Sequence, residues 1–398
     1  MSRRPPRRVS LAAFALTVGL AGSPAFGQES VFNLPLPGLP ATGESVRSRG
    51  MGGLTAGLPG ETFSLDNPAW LTDFERAGLY LSLLGQRTTA EDVDDSGEFE
   101  DVVFPMGQAA VPAFGAVIGV GYAQYLDFDA GIESSLVFEG DTVPAGLESE
   151  GGVGMLSPSL SLRLDERTGA GLALDVYLGS REVVRSISVP DPIGTRDTVA
   201  RDFGGIGLAF GVVRDLGESA RVGVAYRLRP DLDSEVTRAM DPDLIGRKTE
   251  IRLPDELLVE ASVRVSNRLS MGAAARWAGW EGTLDQDLDA AATDVGDALD
   301  LGAGLEFAPQ SPILSVLGPD APVRVGYRWR RLPLRLDGEP VSEWALGLGY
   351  SRGFGRLSRV DVALEIGDRG DVQEHGVSER FVRVGVGMAV FEVWRRFD

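Results

Sequence analysis

From about Ala77 onward, apolar side chains recur at every second position, which is the period of a β-strand. Val222, Val224, Tyr226 and Leu228 alternate with Arg221, Gly223, Ala225 and Arg227. Val323, Val325, Tyr327 and Trp329 alternate with Arg324, Gly326, Arg328 and Arg330. Val382, Val384, Val386, Met388 and Val390 alternate with Phe381, Arg383, Gly385, Gly387 and Ala389. One face of each segment is greasy, and the other is small or charged. In a water-soluble sandwich the apolar face would be a core and the charged face would meet water. In a membrane barrel the apolar face meets lipid and the other face lines a lumen. The alternating segments run about 10–14 residues, close to the ~9–11 that cross a bilayer at a tilt. Sandwich strands average nearer 5–6 residues. The expected fold class is therefore all-β, a transmembrane antiparallel barrel.

Connection lengths sharpen this. Short links are expected at Asp165 to Gly169, Arg214 to Glu218, Ser266 to Arg268 and Arg352 to Arg356. Longer polar links fall between them, at Glu91 to Asp101, Ser188 to Asp202, Ser234 to Arg252, Leu284 to Gly296 and Asp368 to Ser378. Short turns on one side and long loops on the other are the mark of outer-membrane barrels. Strand centres near residues 83, 118, 134, 159, 177, 209, 226, 260, 275, 303, 327, 347, 363 and 387 give about fourteen spans, an even number as bacterial barrels require. The link from Ala308 to Ala321 is long where a short turn is expected. Tyr122, Trp277, Tyr327, Trp344 and Tyr350 lie in or beside strands, where aromatic girdles sit.

Residues 1–27 read as a secretory signal peptide. Arg3, Arg4, Arg7 and Arg8 form a positive start, Leu11 to Leu20 an apolar stretch, and Ala25-Phe26-Gly27 a small-residue cleavage site before Gln28. The apolar stretch is shorter than the ~20 residues of a spanning helix. Composition agrees with an envelope destination and excludes several classes. The 398 residues carry 38 Lys+Arg against 58 Asp+Glu, a formal charge of −20, which argues against nucleic acid as a partner. With no Cys and one His, neither a disulfide framework nor a thiolate or multi-histidine metal centre can be built. No cofactor motif is present; Gly50-x-Gly52 lacks the preceding strand and the βαβ unit of a dinucleotide site.

Between the signal and the first strand, residues 28–76 lack strand alternation. They hold Arg47-Ser48-Arg49-Gly50-Met51-Gly52-Gly53 and Asn67-Pro68-Ala69-Trp70-Leu71. Glycine permits positive φ and close backbone approach, and Asn-Pro starts turns. Such a segment suits a plug packed inside a wide barrel, with residues 77–398 as the barrel itself. A linker to periplasmic partners is the plainer alternative.

These residues resemble the FadL/TodX-type long-chain fatty-acid and hydrocarbon transporters of bacterial outer membranes. That family carries a glycine-rich N-terminal hatch with an Asn-Pro-Ala before the first strand. Leu253-Pro254 and the late block from Arg324 to Arg383, with Gly326-Tyr327-Arg328, Leu332-Pro333, Glu343 and Arg369-Gly370, are also similar. The chain departs from the pattern at its end, where Phe397 is penultimate and Asp398 last. The resemblance implies a fourteen-strand barrel plugged by its own N-terminus and passing hydrophobic ligands inward. Gly50, Gly52, Gly53, Asn67, Pro68 and Ala69 would be hatch residues. Relatives with this architecture serve secretion instead, so the ligand does not follow from the fold.

The alternation turns Arg227, Arg229, Arg264, Arg276, Arg324, Arg328, Arg330 and Arg383 toward the lumen, with Asp175, Glu260, Asp300, Glu306, Asp361 and Glu365. The plain reading is a ladder of compensating cross-strand pairs. The functional reading is that Arg328 and Arg330 hold a ligand's carboxylate by charge-assisted bonds. The clusters Glu91 to Asp95 and Asp285 to Asp289 lack the spacing of a Ca²⁺ loop and read as solvated loops. His375, between Glu374 and Gly376, has no triad context, so no enzyme is expected and no catalytic residue is assigned. The function expected is passive uptake of long-chain fatty acids or other hydrophobic small molecules across the outer membrane, surrounded by its lipid. The rival is a structural or secretion-linked barrel that docks envelope partner proteins; a general diffusion porin is disfavoured by the hatch.

Overall fold

In the computed structural model, residues 29–392 are described except 36, 42, 57, 59, 94, 139–140, 188–194, 229, 284–293, 309–320, 337 and 355–357. The signal peptide and the C-terminal Phe397-Asp398 expectation therefore lie outside the described residues, as do Arg229 and the Asp285 to Asp289 cluster. The chain forms a closed antiparallel barrel of fourteen strands. A short strand β1 (Leu39–Pro40) belongs to the N-terminal segment. The wall is β2 (Ala77–Asp92), β3 (Ser96–Val103) with β4 (Met106–Ala113), and β5 (Ala116–Asp127) with β6 (Ala130–Phe138). It continues through β7 (Asp141–Arg163), β8 (Thr168–Ile187) and β9 (Thr195–Leu216). Next come β10 (Ala220–Arg227) with β11 (Asp231–Arg238), and β12 (Lys248–Arg252) with β13 (Glu256–Ser266). The last strands are β14 (Leu269–Ala278), β15 (Ala298–Phe307), β16 (Val323–Leu336), β17 (Glu339–Phe354), β18 (Ser358–Asp371) and β19 (Val377–Glu392). β19 closes on β2 from Val377↔Asp92 to Glu392↔Ala77, which joins the last strand to the first.

The outer belt follows from the sequence alternation. Tyr327, Leu346, Ile366 and Val382 stand opposite one another across β16 to β19 and are 45, 44, 45 and 43% exposed. Their strand neighbours Arg328, Ala345 and Phe381 are buried. Exposed aliphatics in register around the wall make a patch far beyond what a soluble monomer tolerates, which is the signature of a lipid-facing surface.

Two sequence expectations are corrected, and the two errors cancel in the strand count. The centres at 118 and 134 are halves of a single span, β5 and β6, interrupted at Phe128-Asp129. The span β3–β4 was not anticipated, because Ser96-Gly97-Glu98-Phe99-Glu100-Asp101 is polar on both faces and Phe104-Pro105 breaks the segment. Most of the expected long loops are strand instead. β2 and β3 turn at Val93 to Asp95, and Ser234 to Arg252 contains part of β11 and all of β12. These ladders continue past the apolar belt, where nothing requires alternation. β15 and β16 pair in full register from Leu299↔Arg331 to Phe307↔Val323 despite the long link between them.

Residues 29–76 pack within the barrel. Phe63 stacks on Tyr80 of β2 at 5.3 Å and meets Phe74 edge-on at 4.9 Å. Phe63, Leu65, Leu71 and Phe74 share a buried cluster with wall residues Tyr125, Met155, Tyr177 and Phe391. Here the hydrophobic effect, absent on the lipid side, fixes hatch to wall.

Candidate functional site

The hatch reaches the wall where the wall has no side chains. Helix α1 (Val46–Arg49) is capped by Ser45 and runs into the turn Gly50 to Gly53, in which Gly52 and Gly53 take φ of +72° and +86°. This turn lies directly on the backbone of β15, β16 and β17. A Cβ on Gly50 would come within 2.7 Å of Gly349 Cα, and one on Gly326 would collide with Gly52 N. Backbone-to-backbone contact of this kind needs glycine on both sides.

Charged groups surround that contact. Glu44 accepts from Arg328 Nη1 at 2.7 Å, Arg47 meets Glu306 at 3.4 Å, and Arg49 meets Glu365 at 3.3 Å. Burial pushes the Glu44 carboxyl up, but Arg328, with Arg49, Arg276 and Arg330, outweighs it and holds the group ionised well below the usual range. Asp66 meets Arg276 at 2.8 Å.

A second contact rests mainly on hydrogen bonds, with ion pairs at its rim where Asp73 meets Arg163 of β7 at 3.1 Å and Arg221 of β10. Asn67 caps the 3-10 turn Pro68–Asp73 by accepting the Ala69 N–H at 3.0 Å, and its amide donates to Val224 O at 3.4 Å. Pro68 O accepts the Ser161 hydroxyl at 2.7 Å, and Trp70 Nε1 donates to Glu260 at 2.9 Å. Glu260 also accepts the Thr55 N–H at 2.8 Å, so it ties the two contacts together.

All the hatch residues singled out from the sequence thus face the wall. Arg328 and Arg330 face the lumen as expected and are engaged there. Arg328 holds Glu44 and lies 3.7 Å from Asp300; Arg330 lies 3.4 Å from Asp300 and donates to Pro40 O at 2.9 Å. Glu306 pairs with Arg324 at 2.6 Å, one rung of the compensating ladder. Arg383 stands opposite Glu365 in register and also reaches Gln86 and Glu343, while Arg264 is exposed at its strand end. The hatch partners Glu44, Arg47 and Arg49 could not be matched to the wall from sequence, since Glu44 and Arg328 are 284 positions apart.

Cavities lie along the described part of the molecule. At the end opposite the short turns is a vestibule of about 1340 Å³. Its floor holds Val31, Phe32, Leu34, Leu334, Leu336 and Val377. Inside the lumen, between Tyr125, Met155, Trp280, Arg276 and Arg330, a cavity of only about 40 Å³ remains. At ~10–15 Å³ per water this holds roughly three waters, and no long apolar chain. At the short-turn end, about 360 Å³ opens beside Leu58, Gly60, Asp73 and Arg221.

The vestibule meets a break in the wall. Among the described residues β3 pairs with β2 and β6 pairs with β7, and no ladder joins β3 to β6. The N-terminal segment crosses this break. Glu29 N–H donates to Asp101 of β3 at 2.9 Å, and Ser30 N–H donates to Asp129 O beside β6 at 3.0 Å. The Ser30 hydroxyl and Val31 N–H reach Glu379 at 2.9 and 2.8 Å, and β1 pairs with β5 at Pro40↔Leu126. His375 lies in α2 (Val372–His375) at the vestibule's edge, where its Nδ1 accepts the Asp371 N–H at 3.0 Å.

The same fold occurs in solved structures. The toluene transporter TbuX of Ralstonia pickettii superposes with a TM-score of 0.62 at 16% identity, covering 88% of this chain and 99% of that one. A Pseudomonas aeruginosa FadL homologue gives 0.61 at 14%, covering 89% and 99%. The Pseudomonas putida toluene transporter TodX gives 0.58 at 13%, with the same coverage. No curated relative matches the sequence. The BamG family model matches residues 38–397, which spans the hatch from before β1 and the whole wall; the chain belongs to the BamG family of outer-membrane-type barrels.

Proposed function

We propose that this barrel lets hydrophobic small molecules, long-chain fatty acids or other apolar compounds, cross the outer membrane passively. The observation that carries the reading is the vestibule. A cavity of about 1340 Å³ with an apolar floor lies against an unpaired stretch of wall and above a sealed lumen. Apolar molecules obstructed by the outer leaflet would collect there, because a concave apolar surface is where their transfer from water is most favourable. Structural neighbours named as toluene transporters support the same class of cargo. In this reading residues 1–27 are removed on export, and residues 28–76 form the gate.

The lumen cavity of about 40 Å³ means the gate must move for cargo to pass. The chain has no cysteine, so a lock can be introduced cleanly. Pro40 and Leu126 are directly opposed in an antiparallel ladder, where Cα atoms lie about 4.5–5.5 Å apart and suit a disulfide. Uptake of a labelled neutral hydrocarbon should rise when the barrel is expressed in cells lacking their own apolar channels. It should fall severalfold when Pro40→Cys/Leu126→Cys is oxidised and return on reduction. Uptake indifferent to the lock would contradict movement of this strand.

A second reading, a barrel that docks envelope proteins and moves no cargo, is favoured by the ion pairs Glu44–Arg328, Arg47–Glu306 and Arg49–Glu365 that hold the hatch. An assembled barrel that adds no uptake but co-purifies with stoichiometric envelope partners would establish that alternative.

A further inference from the structure

The vestibule's charge is one-sided. Its described lining includes carboxylates from Glu29, Asp101, Asp129, Glu133, Glu148 and Glu150, with others on the β2–β3 turn; Glu98 in the same lining pairs with Arg87 at 2.6 Å. The described lining contains no arginine or lysine. The contrast with the lumen below is sharp, since there Glu44, Glu306 and Glu343 each face a guanidinium group. Glu29 reports the crowding: burial first, then the carboxylates of Asp101, Asp129 and Glu379, push its own carboxyl above the ordinary range. Clefts lined by one sign of charge with low-dielectric walls focus the field and change local ion concentrations by about 10–10³.

The only described histidine in this lining is already engaged and adds no cation that faces the cavity: His375 is 8% exposed, its Nδ1 accepts the Asp371 N–H, and its Nε2 is buried.

Resting on the uptake reading above, we propose that the vestibule sorts cargo by charge. Neutral amphiphiles with a hydroxyl or carbonyl head, and ammonium amphiphiles, enter it, while carboxylate amphiphiles are excluded, which narrows the cargo proposed above to its uncharged members and removes ionised long-chain fatty acids from it. The apolar floor of Phe32, Leu34, Leu334 and Leu336 takes the chain of any such molecule alike. Selection then falls to the head group, against Glu29, Asp101, Asp129, Glu133, Glu148 and Glu150.

The test compares octanol, octyltrimethylammonium and octanoate, which share one chain length. Each is equilibrated with the full barrel in phosphatidylcholine nanodiscs at low salt, and empty nanodiscs are subtracted. Octanoate should bind at least about tenfold more weakly than octanol, and octyltrimethylammonium at least as tightly as octanol. The octanoate deficit should shrink in 0.5 M salt and in the exposed-rim variant Glu133→Gln/Glu148→Gln/Glu150→Gln, whose positions lie away from the hatch contacts. Equal binding of all three, or octanoate tightest, overturns the charge filter and leaves uptake standing. Binding of none overturns the uptake reading and the filter with it.

Discussion

Two of the contacts between the hatch and the wall are held by different physics. The contact of residues 44–54 with β15 to β18 is ionic, with Glu44, Arg47 and Arg49 each set against a buried opposite charge. The contact of Asn67 to Trp70 with β7, β10 and β13 is mainly hydrogen-bonded, through a cap, backbone carbonyls and Trp70 on Glu260, with its ion pairs confined to the partly exposed Asp73 at the rim. Leaving the first strands charges in a low-dielectric space, which is costly. Leaving the second loses bonds of ordinary strength that water can replace. If the segment moves as the proposed gate, the hydrogen-bonded contact is its hinge side and the ionic one its anchor.

Breaking the anchor should have the largest effect. Arg328→Met leaves Glu44 buried without its main partner and should loosen the hatch by about 3–5 kcal/mol. Hydrogen exchange of peptides from residues 44–54 should then speed up by a hundredfold or more, with the wall unchanged. Glu44→Gln added to Arg328→Met should recover much of the loss. If the double variant exchanges as fast as the single, the ionic account of the anchor is wrong.

Much of this architecture was legible because lipid imposes a strict rule on one face of every span. Tyr327, Leu346 and Val382 obey it, and so their neighbours Arg328 and Arg383 could be placed in the lumen from period alone. The glycines of Gly50 to Gly53 also announced a close approach, although not the glycines of β15 to β17 that receive it. Legibility failed where lipid stops applying the rule. β3 is polar on both faces, and the outer ladders of β11 and β12 read as loops. It failed again for contacts of long range, because nothing local in Glu44 names Arg328. The vestibule's one-sided charge is assembled from residues on β3, β6 and β7 and the N-terminal segment, and only the folded wall brings them together.

The close approach of backbones is the next test of the comparison. Gly326→Val inserts a side chain against Gly52 N and Met51, which are backbone and cannot swing aside. Overpacking of this type costs about 1–3 kcal/mol. Gly204→Val on β9 is the matched control, since a Cβ there meets nothing within 4 Å. The first should make the hatch susceptible to added protease in assembled barrels and the second should not. Equal susceptibility would mean that barrel strain, not hatch contact, sets the effect.

The smallest expected effect decides how independent the two contacts are. Asn67→Ala removes the cap on Ala69 N–H and the bond to Val224 O, for about 1 kcal/mol. That corresponds to roughly fivefold faster exchange. If the hinge side moves alone, the change is confined to residues 65–74, and residues 44–54 stay protected. Glu260 argues the other way, since it accepts from both Trp70 and Thr55 and could transmit the loosening. Combining Asn67→Ala with Glu260→Gln separates these outcomes. An Asn67→Ala change that spreads to residues 44–54, and is cut back to residues 65–74 by the second substitution, makes Glu260 the coupling between hinge and anchor. A spread that persists without that carboxylate makes the hatch a single cooperative unit, and the distinction between its two contacts one of chemistry but not of motion.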